Sequence, residues 1–348
     1  MTLIAGCRTW NGVCLATDTR VTYKPPNGKP FYKDDCQKCE TITGGPAIAV
    51  AGDCRTATLF KQSLTKKYIQ TYQGFVKRIQ NGEKLNEDPI TVLKDLIKES
   101  LIEVSNLDEI MKRDSGETAI CGLIGVIDLI PLKLNSQECS NIINSLKYTP
   151  EANQVFFKNS IDIFRCAGGE IDSIEIDGFK QNALISFENI VGVKLEINEV
   201  QFGQIAAFGS GVSDDHAEEQ YKTLAYLLLQ THEDDLQTAA FHLTRTHGWS
   251  EQVIPEDERY GFKTFGGANL AMMLMPDPKD PNNHVELAVL KGKFHRQSDK
   301  KVISDVYENG EGKLCVKGED GIEYLLKPFS QYDIQGMDSL ELAINQKP

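Results

Sequence analysis

The sequence predicts an α+β fold of layered sheets and helices. Short apolar runs of strand character open the chain, and two long amphipathic segments follow. The same succession, strands then two helices then strands, recurs in the second half. Segregated blocks of this kind favour helices packed on sheets over alternating βαβ units. With 348 residues, 41% of them hydrophobic, the chain can bury a substantial core, as one large domain with additions or as two domains.

Each element has a local reason. Residues 2–6 (TLIAG) and 12–17 (GVCLAT) read as two short strands, and Asn11 and Gly12 between them supply turn chemistry. The prolines of "YKPPNGKPFYKDD" make that stretch a loop or an edge. "KCETI" and "AIAVAG" are strands around a glycine turn, and the small side chains of the second imply close packing above it. A helix starts near Asp53, with Leu59, Phe60, Leu64, Tyr68, Ile69 and Tyr72 at helical spacing. A second runs from Pro89, preceded by acidic residues, with Leu93, Leu96, Ile97 and Leu101 on one face.

"DSGETAICGLIGVI" resumes strand character, and 132–153 is polar and poorly patterned. Short β runs follow to Phe208. "VSDDHAEEQYKTLAYLLLQ" and "DDLQTAAFHLTRTH" are two further helices, and "GGANLAMMLM" and "HVELAVLKG" two further strands. The segment after Gly292 is charged, and its "KLCVKGEDGIEYLL" reads as a hairpin.

A net charge of −13 argues against nucleic acid and anionic membranes as main partners, because both need concentrated positive charge. No apolar run approaches the roughly 20 residues that span a bilayer, and no basic and apolar leader is visible. The nine cysteines lack disulfide-framework spacing. Reduced thiols in a soluble cytoplasmic protein are the expectation.

Thr2 is the first chemical candidate. A threonine hydroxyl needs a base, and a free α-amino group, with a reference pKa of about 7.7–8.0, can serve. Removal of Met1 would leave Thr2 with hydroxyl and amine on adjacent carbons. Asp18 ends "GVCLATD", with Arg20 two residues on; Lys38 lies in "CQKCE"; Gly52 ends "AIAVAG". Singly, each has an ordinary structural role.

Jointly, their order and spacing resemble the N-terminus of proteasome β subunits and their bacterial relatives, the N-terminal nucleophile (Ntn) hydrolases. The matching pattern is an exposed Thr, a strand, "GVCLATDTR", a strand Lys and a Gly fourteen positions later. The resemblance is closest over residues 2–55, extends to 203–230 and 264–292, and does not cover 125–200 or 293–348.

It implies a four-layer αββα sandwich of two packed antiparallel sheets flanked by helices, over 1–292. A β-rich insertion lies at about 130–200, and 293–348 forms a C-terminal appendage. It also implies roles. Thr2 Oγ would attack a carbonyl while its amine shuttles the proton. Lys38 would ease ionisation of that hydroxyl, Asp18 would hold Lys38, and the Gly52 N–H would meet the oxyanion. Ser210, in "GSG", would support the amine. The same glycines could belong to a dinucleotide loop, but Asp214 and Asp215 there would repel a pyrophosphate.

One departure stands out. Where the family carries Asp and Ser before two glycines, "FKTFGGANL" has Phe262 and Phe265. The Thr2 amine would lack two usual partners, for which Asp257 or Glu258 could substitute. Cys36 and Cys39 form a single C-x-x-C whose members would face opposite sides of a strand, a poor metal or redox pair. His242 and His247 are five apart on a helix, an awkward step for sharing a metal.

The expected function is therefore Thr-dependent hydrolysis of a peptide or amide bond, or acyl transfer, with no cofactor and no metal. The alternative is a weakly active or inactive scaffold on the same fold. The resemblance implies a homo-oligomer, possible as a ring, with helices at 55–75 and 88–105 as contact faces. Side chains near 21–34 and 45–54 would shape specificity.

Overall fold

The computed structural model describes residues 2–9, 12–23, 28–42, 46–83, 87–106, 114–129, 132–135, 173–176, 180–201, 204–209, 212, 236–276, 285–289, 292–295, 302–311, 313–318, 321 and 323–331. The first half contains β1 (Leu3–Thr9), β2 (Gly12–Asp18), β3 (Val21–Tyr23), β4 (Phe31–Lys33), β5 (Cys36–Gln37), β6 (Cys39–Thr41), β7 (Ala47–Gly52), α1 (Cys54–Gln80) and α2 (Pro89–Ser105). Then come β8 (Thr118–Leu129), β9 (Leu132–Asn135), β10 (Ser173–Ile176), β11 (Lys180–Ile190), β12 (Lys194–Val200), β13 (Ile205–Gly209) and α3 (Leu236–Val253). The chain continues through β14 (Asn269–Pro276), β15 (Val285–Val289), β16 (Gly292–His295), β17 (Val302–Glu308), β18 (Leu314–Gly318), β19 (Glu323–Leu325) and β20 (Lys327–Pro328) to a short 3₁₀ turn at Phe329–Gln331. The helix expected over 213–230 lies outside the described residues.

Two five-stranded antiparallel sheets dominate. One has the order β13-β1-β2-β14-β15, the other β12-β11-β8-β7-β6. Strand periodicity of two sorts side chains to opposite faces. In β7, Ile48 and Val50 pack toward α1 and α2, whereas Ala47, Ala49 and Ala51 meet the other sheet. The small residues of "AIAVAG" thus occupy the sheet-to-sheet contact. In β1, Ile4 faces that same contact, while Leu3, Ala5 and Cys7 join Leu236, Ala239, Ala240 and Leu243 of α3.

The helices follow their sequence signals. Asp88 caps α2 by accepting from the Ile90 and Thr91 backbone N–H groups, with Pro89 in the first turn, and Leu93, Leu96, Ile97 and Leu101 are buried. In α1, Leu59, Phe60 and Leu64 are buried in the same cluster. Tyr72 shares the helical spacing but is exposed and stacks on Tyr68 at 6.0 Å.

The segment after Gly292 forms a four-stranded sheet, β16-β17-β18-β19, containing the expected hairpin. Val306, Val316 and Leu326 pack on Ala268 and Leu270 at the start of β14. Beyond it, β20 pairs in parallel with β5. The cysteines Cys7, Cys14, Cys36, Cys39, Cys54, Cys121 and Cys315 are free thiols. Among the described residues, no helix is long and apolar enough to cross a membrane.

Gly209 ends β13 opposite Leu3, at φ +107°. A Cβ there would come within 1.6 Å of the Thr2 carbonyl oxygen, so the approach of β13 to the start of β1 requires glycine. Gly209→Ala should therefore lower stability by at least about 2 kcal/mol in urea denaturation. By contrast, Gly74 lies within α1, and a Cβ added there would meet no atom within 4 Å. It should tolerate alanine with a gain of about 0.5–1 kcal/mol in the same measurement.

Candidate active site

The carboxylate of Asp18 is the hub. It sits at the end of β2, 1% exposed, where the backbone pairs with Asn269 of β14. Oδ1 accepts from Lys38 Nζ at 2.5 Å and from the Leu3 backbone N–H at 3.0 Å. Oδ2 accepts from the Gly266 N–H at 2.9 Å. Three donors from three separate chain segments thus converge on one buried anion, which is how a charge is kept in a low-dielectric interior.

Lys38 is itself buried, at 4% exposure, and lies in the break between β5 and β6. The expected strand is therefore two short pieces with Lys38 between them. Cys36 and Cys39 fall in different hydrophobic clusters, on opposite faces as their spacing implied. Burial pushes the Cys36 thiol up well above its ordinary range and also raises Cys54. Protonated thiols of this kind are poor nucleophiles.

Thr2 is 5% exposed and immediately precedes β1. Thr2, Lys38 and Gly52 line one cleft of about 680 Å³. Gly52 stands at φ +128°, and a Cβ there would lie 2.7 Å from the Ala119 carbonyl oxygen. The close pairing of β7 with β8 at this point therefore requires glycine. Of the residues singled out in the sequence, Thr2, Lys38 and Gly52 share the cleft and Asp18 bonds directly to Lys38. Ser210 lies outside the described residues.

The two phenylalanines have apolar roles. Phe265 is buried in the cluster beneath α3, and the Phe262 ring lies 5.1 Å from that of Tyr32 and 5.7 Å from that of Tyr260. Asp257 is engaged by Arg259 through two side-chain bonds of 2.9 and 2.6 Å, within its own turn. A second carboxylate reaches the glycine loop beside Asp18: Glu251, near the end of α3, accepts from the Gly267 N–H at 3.3 Å.

Arg20 completes this support. Its Nε and Nη2 bond to both Asp34 oxygens at 2.8 and 2.9 Å, and its Nη1 donates to the Lys263 and Phe265 carbonyls at 3.2 and 3.3 Å. Glu251 lies 3.7 Å from Nη2, and the Tyr32 ring centroid is 4.0 Å from the guanidinium carbon. The Thr19 and Arg20 N–H groups both donate to the Gly266 carbonyl. The 263–268 loop is thus clamped from both sides, and that loop presents the Gly266 N–H to Asp18. Glu251 and Asp34 carry no local motif. Only the approach of the end of α3 to the glycine loop, and of the Asp34 segment to Arg20, reveals them.

Among the described residues, no group of three or more His, Cys, Asp or Glu is placed to hold a metal ion. The cleft brings the Thr2 hydroxyl, the buried Lys38 ammonium and the Gly52 backbone together, with the carboxyls of Asp53 and Glu117 also in its lining.

Two outcomes follow from this geometry. Asp18→Asn would leave Lys38 buried without its anion and should cost about 3–5 kcal/mol, read from chemical denaturation. Burial pushes the Glu251 carboxyl up from its ordinary 4.5 to about 7, against the lowering effect of Arg20. Between these values the folded state binds the extra proton, so stability should fall as pH rises from about 4.5 to 7 and level off above. Glu251→Gln should remove that component of the pH profile, measured by denaturation across the range.

No protein-family model matches the chain, and no curated protein matches it in sequence. Among solved structures, it is similar to the Anbu (Gly-1) mutant from Hyphomicrobium sp. strain MC1, with a TM-score of 0.43 and 9% sequence identity, covering 83% of this chain and 88% of that one.

Proposed function

We propose that this protein is an Ntn-type hydrolase or acyl transferase acting on a peptide or amide bond through Thr2. The single observation that carries the reading is that Thr2, Lys38 and Gly52 line one cleft while Asp18 holds Lys38 at 2.5 Å in a buried pair. In this reading, hydrolysis of the Met1–Thr2 bond frees the Thr2 amine. The Thr2 Oγ then bonds to the substrate carbonyl carbon, and its proton passes to the amine through water. Lys38 lowers the cost of negative charge on Oγ, and the Gly52 N–H donates to the oxyanion. The C–N bond breaks, the leaving amine takes the proton, and water cleaves the resulting ester. An amine acceptor in place of water would make the same site a transferase.

The fold belongs to the same proposal: α1 and α2, the two sheets and α3 are read as successive layers of an αββα sandwich. The segment 1–292 is its domain, with 293–348 as an addition. The assembly is read as a homo-oligomer, in the manner of the ring-forming subunits that the sequence resembles. Ser210 is assigned the support of the Thr2 amine.

A second reading, an inactive scaffold, is favoured by one observation: Phe265, where the family carries a serine, is committed to the apolar cluster beneath α3. An epoxyketone directed at N-terminal threonine separates the two. The intact mass of the mature chain should lack Met1, and the reagent should add one adduct at Thr2 and none in Thr2→Ala. Lys38→Ala should slow adduct formation by about 10²–10⁴-fold. Retained Met1, or equal labelling of wild type and Thr2→Ala, would leave the scaffold reading standing.

A further inference from the structure

The last described residues run alongside the segment that carries Lys38. Lys327 and Pro328 pair with Cys36 and Gln37, and the Lys327 N–H donates to the Asp35 carbonyl at 2.8 Å. On the far side of Lys38, Glu40 accepts from the Ser330 N–H at 2.9 Å and from its Oγ at 2.7 Å. Lys61 also bonds to Glu40, which is buried. The two anchor points straddle Lys38. Strands of two and three residues have little independent stability, so the returning segment braces them.

Phe329 stands between the anchors. It is 2% exposed and packs in one cluster with Val21, Cys36, Val50 and Ala57. The same five residues line the cleft that contains Thr2 and Gly52. Thr58 Oγ1 donates to the Phe329 carbonyl at 3.4 Å, which ties its backbone to α1. The cleft therefore has an apolar part built jointly by β3, β5, β7, α1 and the C-terminal segment, and Phe329 supplies its largest side chain.

We propose that Phe329 is a specificity-determining residue: its ring closes the apolar end of the cleft, which then accepts a small or branched aliphatic acyl side chain and excludes aromatic ones. This rests on the reading of the cleft as the place where an amide substrate meets Thr2. A ring locked into a packed interior does not move aside cheaply, and steric exclusion discriminates against larger side chains more sharply than a missing methylene does against smaller ones.

The test uses the full chain in a Thr2→Ala background, so that ligands bind without turnover. Capped peptide amides carrying Ala, Leu or Trp at the acyl position are titrated calorimetrically against this protein and against its Phe329→Leu and Phe329→Ala derivatives. Phe329→Leu keeps most of the core filled, and thermal unfolding verifies that it folds. The Leu amide should bind at least 10-fold more tightly than the Trp amide, and both Phe329 variants should shrink that ratio at least 10-fold by gaining affinity for Trp. An unchanged ratio, an equal loss for all three ligands, or no binding of any would overturn the proposal. A shifted preference without epoxyketone labelling of the Thr2 protein would keep the Phe329 assignment and remove the hydrolase reading. Labelling with no shift would do the reverse.

Discussion

The buried pair of Asp18 and Lys38 is the constraint around which the rest of the site is arranged. An ammonium and a carboxylate removed from water are tolerated when further hydrogen bonds offset their desolvation. Asp18 gains two such donors besides Lys38, the Leu3 N–H at the start of β1 and the Gly266 N–H of the distant glycine loop. The first strand, the Lys38 segment and the loop before β14 are therefore positioned by one group. A displacement of any of them leaves a buried charge short of a partner, so they hold their places together.

That arrangement also explains the surroundings. The glycine loop can present its N–H only because Arg20 bonds to two of its carbonyls and is in turn fixed by Asp34. Glu251 shares the loop from the end of α3 at a cost in desolvation, which is why its carboxyl holds a proton so readily. The Lys38 segment, too short to stand as a strand, is held by Lys327 on one side and Ser330 on the other. A buried charge pair keeps its geometry when a supporting shell locks each group, and here that shell comes from four separate parts of the chain.

Local signals were legible where a single residue or spacing carries the physics. The cap at Asp88, the apolar faces of α1 and α2, and the alternation that puts Ala49 against one sheet and Val50 against the helices all follow from periodicity and side-chain chemistry. Tyr72 shows the limit of such signals: it keeps the helical spacing and is exposed, because spacing says which residues share a face and not what covers it. Lys38 reads as a strand residue in sequence, yet sits in the break between β5 and β6, where it bonds to Asp18.

By itself, the sequence determined the kinds of groups and their order: a hydroxyl at position 2, a carboxylate at 18, a cation at 38 and a bare glycine at 52. It also determined the alternating pattern that makes two sheets able to pack. Only the tertiary structure decided which groups meet. The approach of Gly266 to Asp18, of Glu251 to the glycine loop, and of Phe329 to the cleft joins residues tens to hundreds of positions apart. Such pairings are set by how whole layers dock and by which buried charges must be satisfied, and no short stretch of sequence carries that information.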